Sequence, residues 1–303
     1  MKSDDVQCLI EAHYKSEEDF HSIIERIIKT EEKSGKETSA CKLRATLNQY
    51  GGKKRDGYTV KALHNLSSLN RDNEKMVEIR QPDISLQDVI VPATTIATVQ
   101  AGLNEYRNRE NLEKYGLEVS NKMLLNGPPG VGKTWMATAI AGELGLDLLL
   151  VRWDTVISSY LGSTGNNIRK VFETANADPV VLLIDEFDAG AKNRGNDAHE
   201  VGEMNRVVIN LLQNIDMFPR HSFLIAATNH GQLLDTAIWR RFTVINMDLP
   251  TPELRLKLID HYAKGLPVQI DADRWVADTD GLSGAEIKAR IQTEAKRVIL
   301  LGL

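Results

Sequence analysis

The chain has 303 residues, 42% of them hydrophobic and 26% charged, a composition that supports a packed core and excludes wholesale disorder, a collagen-like repeat or a disulfide scaffold. Lys and Arg total 37 against 42 Asp and Glu, a net charge of -5, so no global positive field favours nucleic acid. The longest purely apolar stretches, at 180–184 and 223–227, are far below the roughly 18 residues of a membrane span.

The first ten residues carry adjacent acids and no long apolar run, so they do not read as a signal peptide, and a cytoplasmic location with no membrane contact is expected. Residues 1–50 are helical in pattern. Phe20, Ile23, Ile24, Ile27 and Ile28 recur at the spacing of one helix face, with Ser16 before Glu17, Glu18 and Asp19 as a start signal and Gly35 as a stop. Val6, Leu9 and Ile10 suggest a shorter helix before it, and 37–47 a third. Such a small α-helical N-terminal region is either a recognition surface for a substrate or partner, or a docking and assembly element. Cys8 and Cys41 lack the spacing of a zinc site or a redox dithiol and read as buried small hydrophobes. Residues 51–82 open with GGKKRDG and continue polar to Pro82, which reads as a linker; Lys53, Lys54 and Arg55 read as solvated surface rather than a nucleic-acid patch.

From residue 83 short apolar runs alternate with helical segments. The runs 122–125, 146–151, 180–184, 223–227 and 244–247 have the length and near-continuous hydrophobicity of parallel strands buried on both faces. The expected fold is α/β: a P-loop NTPase three-layer α/β/α sandwich over 83–250. After Pro250 strand signals cease, and helical stretches near 252–264 and 284–300 predict a C-terminal α-helical lid over 251–303.

The strand ending at Asn126 runs into Gly127-Pro128-Pro129-Gly130-Val131-Gly132-Lys133-Thr134, which opens a helix to Leu144. This is G-x-x-x-x-G-K-[ST] in the strand–loop–helix context the motif requires. Its glycines let backbone N–H groups turn toward phosphates, and the helix N-terminus adds its positive end. Lys133 is expected to reach the β and γ phosphates, and the Thr134 hydroxyl to ligate Mg²⁺. The strand 180–184 ends in Asp185 and Glu186, placing Asp185 to bind Mg²⁺ and Glu186 to polarise the attacking water. ATP hydrolysis, with ATP and Mg²⁺ as cofactors, is the expected activity.

Together and in order, these motifs resemble the AAA+ ATPases, and within them the classical AAA branch of ring-forming protein remodellers, over about residues 83–303. The resemblance implies that Asn229, closing Ala226-Ala227-Thr228-Asn229, is the sensor-1 residue that orients the lytic water. Residues 234–242 resemble the segment whose arginine fingers reach a neighbouring subunit's γ-phosphate, which makes Arg240 and Arg241 catalytic candidates. The Pro-Gly that separates the two arginines in many classical members is missing here, and Arg241, beside Phe242, is the closer match. Tyr160, Leu161 and Gly162 resemble the pore-1 loop that grips an extended polypeptide, with 162–165 read as a mobile loop. Residues 190–205, with Arg194, His199 and Glu200, stand where a second pore loop would be. Gly284 and Ala285 resemble the sensor-2 region of classical members, which carries Gly-Ala in place of an arginine, and Ile90 and Val91 the segment that packs on adenine. A hinge is expected near 250–252.

The resemblance implies a homo-hexameric ring acting on a protein substrate or adaptor through the N-terminal helices and pore loop. Two other classes stay open: a nucleic-acid-dependent ATPase, against which the apolar pore loop and negative charge count, and a scaffold that uses nucleotide only as a switch. Among remodellers, the organisation resembles ATPases acting on HORMA-domain partners in antiphage signalling, although eukaryotic HORMA remodellers tend to carry a sensor-2 arginine. Partnership with a separate protease is another reading, since no His-Glu-x-x-His motif occurs in the chain, and adaptor-guided disassembly a third.

Overall fold

Val180–Ile184, the run VVLLI, buries all five side chains, so its residues meet apolar neighbours on both faces of the strand. That demand organises the molecule, because a strand buried on both faces needs strands beside it and helices above and below. The computed structural model describes residues 76–156, 161–188 and 198–301. The helices expected within 1–50, Lys53–Arg55 and Tyr160 lie outside the described residues.

Six strands form the sheet: β1 (Val77–Arg80), β2 (Lys122–Asn126), β3 (Asp147–Val151), β4 (Val180–Ile184), β5 (Phe223–Thr228) and β6 (Thr243–Asn246), in the order β1-β3-β4-β5-β2-β6. β1 is antiparallel to β3, and the other pairings are parallel. The five strands expected from the apolar runs are present with ends shifted by at most one residue. β1 corrects the last part of the linker expected over 51–82, whose residues 51–75 lie outside the described residues. Met76 and Val77 are buried, and Val77 stands opposite Val151. Its sequence, VEIR, is short, charged and followed by Pro82, as suits an edge strand, and without β3 beside it nothing marks it as a strand.

Alternation along the strands sorts the core into two layers. Val180, Leu182 and Ile184 join Leu224 and Ala226 on one face, covered by α4 (Trp153–Val156), α5 (Leu161–Ala177), α6 (Ala198–Asp216) and α7 (Thr236–Trp239). Val181, Leu183, Phe223, Ile225 and Ala227 point to the other, under α1 (Ala93–Arg107) and α3 (Lys133–Leu144), while α2 (Arg109–Lys114) follows α1. The expected three-layer α/β/α sandwich is what forms. The segment 162–165, expected to be a mobile loop, instead lies in the first turns of α5: Thr164 is buried, and a Cβ on Gly165 would lie 2.7 Å from Asn210 Nδ2. That glycine serves close packing of α5 on α6. Residues 198–205, read as part of a second pore loop, are helical in α6; Arg194 lies outside the described residues.

After Pro250 the chain makes α8 (Pro252–Ala263), α9 (Ala272–Asp278) and α10 (Gly284–Leu301), which bury Leu258, Ile259, Ile287 and Ile291 as a separate small core. Thr251 caps α8 and Pro252 starts it, a combination readable in the sequence. Arg255 is buried at the joint, where its guanidinium donates to the Pro250 carbonyl at 3.3 Å and pairs with Asp280 at 3.0 Å. Among the described residues no helix is long and apolar enough to cross a membrane.

Phe223 is fully buried, with its ring edge-on to Tyr106 at 5.3 Å, and the Tyr106 hydroxyl donates to the His221 carbonyl. Phe223→Ala is therefore expected to cost about 3–5 kcal/mol, seen as a lowered urea midpoint with an unchanged slope; a loss below about 1 kcal/mol would show that the α1 layer does not depend on this contact.

Candidate active site

The loop between β2 and α3 is shaped by what each glycine must avoid or adopt. A Cβ at Gly127 would collide with the Met247 carbonyl, and Gly130 and Gly132 hold φ of 79° and 96°, values that side chains disfavour. The chain can thus wrap tightly and enter α3 at Lys133. The Lys133 ammonium is buried and donates to the carbonyls of Gly127 and Pro128 at 2.7 and 2.8 Å and to Asn229 Oδ1 at 2.7 Å. Burial lowers its pKa, opposed by Asp185 and Asp188. With its three N–H donors engaged, incoming phosphate oxygens must replace one or more of these three acceptors.

Asp185 and Glu186 follow β4 directly. Thr134 Oγ1 donates to Asp185 Oδ2 at 2.6 Å, which sets a hydroxyl and a carboxylate side by side. Mg²⁺ commonly takes one or two protein oxygens and fills its octahedron with phosphate oxygens and water, so these residues fit it. Glu186 is exposed at the mouth and is the one non-glycine among the described residues with a positive φ, 50°. Left-handed backbone at such a residue costs on the order of 1–3 kcal/mol. The turn it makes sends Phe187 and Asp188 back into the core: Phe187 N donates to the Ala227 carbonyl at 2.8 Å, and buried Asp188 accepts from Thr228 Oγ1 at 2.9 Å and from Asn229 N at 3.3 Å.

Asp188 was not singled out by sequence reasoning. Its signal was present as an acid three residues after Asp185, but its partners lie 40 residues on. It fixes the backbone of Asn229, whose side chain meets Lys133, so the loop lysine, the strand-end acids and Asn229 form one connected set.

The α10 end of the lid closes this set from above. Ala285 N donates to the Gly130 carbonyl at 3.1 Å, and a Cβ on Gly130 would meet Ser283 Oγ at 2.6 Å. Ser283 and Glu286 form a capping box, the Ser283 N–H and hydroxyl donating to Glu286 Oε2 at 2.8 and 2.7 Å. Ile90 packs with the lid core and Val91 with the α1/α3 layer, so the pair expected at adenine spans the two parts.

Arg240 and Arg241 are not brought to this set. They precede β6, while Met247 beyond its other end bonds to Asn126 next to the loop. Five residue steps from Phe242 to Met247 span about 16 Å at roughly 3.3 Å each, beyond the reach of either side chain. Leu161 and Gly162 begin α5; their side chains lie outside the description.

A glycine-shaped loop with a buried lysine, a hydroxyl–carboxylate pair and an adjacent strand-end amide, all at the carboxyl edge of a parallel sheet, define a P-loop nucleoside triphosphatase. Residues 123–248 match the family described as "ATPase family associated with various cellular activities (AAA)". The chain is 40% identical to an uncharacterized AAA family ATPase, y4kL, of Sinorhizobium fredii, over 96% of this chain and 87% of that protein. It is 30% identical to the ATP-dependent zinc metalloprotease FtsH of Hahella chejuensis over 73% of this chain and 37% of that protein, and 35% identical to a 26S proteasome regulatory subunit homolog of Methanocaldococcus jannaschii over 60% and 50%. The chain belongs to the AAA family of ATPases, which hydrolyse ATP with Mg²⁺.

Because Asp188 holds the Asn229 backbone N–H and the Thr228 hydroxyl, Asp188→Ala is expected to lower the ATP turnover number about 10- to 100-fold while leaving the affinity for a fluorescent ATP analogue near that of the parent. A parallel loss of affinity would contradict a role confined to placing Asn229.

Proposed function

We propose that this chain is an ATP-driven protein remodeller that works as a homo-oligomeric ring, a hexamer in the reading its sequence supports. One observation carries it: Arg240 and Arg241 stand at the amino edge of β6, about 16 Å from their own phosphate loop, too far to serve their own nucleotide but at a surface where a guanidinium can meet that of another copy. Exposed Met217, Tyr115 and Leu117 accompany them at that end of the sheet, as a copy-to-copy face requires. In a heterologous contact, arginines from one copy stabilise charge developing on the phosphates held by the next.

Within one copy, Lys133 and the loop N–H groups bind the β and γ phosphates, Thr134 and Asp185 would hold Mg²⁺, and Glu186 accepts the proton of a water that Asn229 orients. Bound Mg²⁺ supplies charge neutralisation on the phosphates. Displacement of Asn229 from Lys133 on nucleotide entry frees its amide for that water. Ile90 and Val91 receive adenine, and the Gly130–Ala285 contact passes nucleotide state to the lid through the joint at 250–252.

Tyr160 and Leu161 are the residues proposed to grip a polypeptide, and the N-terminal helices to choose it. Partnership with a separate protease is supported by the likeness to FtsH and to a proteasome regulatory subunit homolog; this chain spans about a third and a half of those proteins. The HORMA-domain, antiphage version rests on organisation alone, a small helical region ahead of an ATPase module.

ATP turnover per subunit is expected to rise with protein concentration to a plateau, and Glu186→Gln to lower it by about 10² or more while retaining ATP and trapping the protein substrate in a pull-down. Tyr160→Ala is expected to abolish processing of the trapped substrate and spare most ATP turnover. Turnover per subunit that stays flat down to monomer concentrations would overturn the ring, and unchanged processing by Tyr160→Ala would overturn threading.

A further inference from the structure

The two adjacent arginines are in different situations. Arg241 donates through Nε and Nη2 to both oxygens of Asp216, at 2.6 and 2.8 Å, and through Nη1 to the Ala237 carbonyl at 2.8 Å. This is a bidentate fork that also caps the carboxyl end of α7. The charge-assisted bond raises the Arg241 pKa and lowers that of Asp216. The next residue, Phe242, is buried with its ring 6.3 Å from that of Phe187, which pins the backbone on the far side. Arg240 ends α7 with φ −72° and ψ −15°. Its side chain is exposed, and among the described residues its guanidinium makes no hydrogen bond or ion pair.

We propose that Arg240 alone is the arginine delivered to the neighbouring copy's phosphates, and that Arg241, clamped by Asp216, is a positioning residue that sets the direction in which Arg240 leaves the surface. The assignment rests on the ring reading above. It also reverses the ranking that the sequence gives, where Arg241 beside Phe242 is the closer match to an arginine finger. The reason is geometric. Without a spacer between them, consecutive residues at a helix end point in different directions, so one faces the neighbour and the other turns back onto the sheet. Arg241 turns back, and its fork is filled by a carboxylate it would have to abandon before binding a phosphate. Arg240 has its whole fork open. Lys122, half-buried at the start of β2 and electrostatically coupled to Asp216 and Arg241, stays as a cation for Asp216 when Arg241 is removed, so Arg241 variants should remain folded.

The test uses the full chain at a concentration on the turnover plateau, reading kcat, affinity for a fluorescent ATP analogue, and assembly by sedimentation velocity. Arg240→Ala and Arg240→Lys are expected to lower kcat about 10³-fold or more, with affinity and assembly within about twofold of the parent. Arg241→Ala and Asp216→Ala are expected to lower kcat about tenfold and to have no further effect on it in an Arg240→Ala background, because they act through Arg240. The charge swap Asp216→Arg with Arg241→Asp is expected to recover most of the tenfold. Mixing Arg240→Ala with Lys133→Ala copies, each inactive alone, should regenerate turnover, since the second supplies an intact Arg240 to the first copy's phosphate loop. Near-parental kcat for Arg240→Ala with a 10³-fold loss for Arg241→Ala would overturn the assignment, as would losses from Asp216→Ala and Arg240→Ala that multiply. Flat concentration dependence with no recovery on mixing would instead overturn the ring reading beneath it.

Discussion

In-register parallel pairing of β4, β5 and β2 brings three strand ends to one place: Ile184 stands opposite Ala226, and Asn126 opposite Thr228. Neighbouring strands lie about 4.8 Å apart, so whatever follows each strand is within about 10 Å of whatever follows the others. The phosphate loop follows β2, the acids follow β4 and Asn229 follows β5. A slip of one residue in either pairing would turn the inward rows of Val, Leu and Ile outward, so the core and the site are held by the same register. The apolar cost of misalignment, repeated over strands that bury almost every side chain, is what keeps Thr134 against Asp185 and Lys133 against Asn229.

On that frame, buried polar groups do the fine placement. Asp188 sits in the core because Thr228 and the Asn229 N–H supply its hydrogen bonds; unpaired, it would be expensive there. Lys133 is likewise tolerable in a half-dry loop because three oxygens surround it. The lysine's acceptors are neutral oxygens that phosphate oxygens can replace, and the strained turn at Glu186 holds a carboxylate at the mouth rather than in the interior. A phosphate at this loop would therefore exchange partners that are already close, and the Ala285 N–H to Gly130 carbonyl bond ties the loop to the lid.

The direction of β6 imposes the opposite consequence on the arginines. A parallel strand that delivers Met247 to the phosphate loop necessarily delivers Phe242 to the far edge. Arg240 and Arg241 are thereby separated from their own phosphate loop, and in the proposed ring they would complete a site on the next copy. Asp216 and Arg241 add a local constraint, because the ion pair stabilises the end of α7 and takes one arginine out of reach.

Reading the chain alone found the five parallel strands and placed the glycine loop, the acids and Asn229 at their ends, because each is a local pattern: glycines at positions that need positive φ, apolar runs of strand length, charges at strand ends. It also recovered the lid helices, through Thr251-Pro252 and the spacing of Ile287 and Ile291. It could not find β1, whose VEIR is a strand only because β3 offers an edge, nor the close approach of Gly165 to Asn210, which made a helix start look like a loop. The anchoring of Asn229 by Asp188 across 40 residues, and the capture of Arg241 by Asp216 across 25, were equally invisible. Residue type and short spacing determine which chemistry a segment can carry, since they act through bonds within a few residues. Which of two adjacent arginines is free to use that chemistry depends on partners that folding brings together, and only the packed sheet decides it.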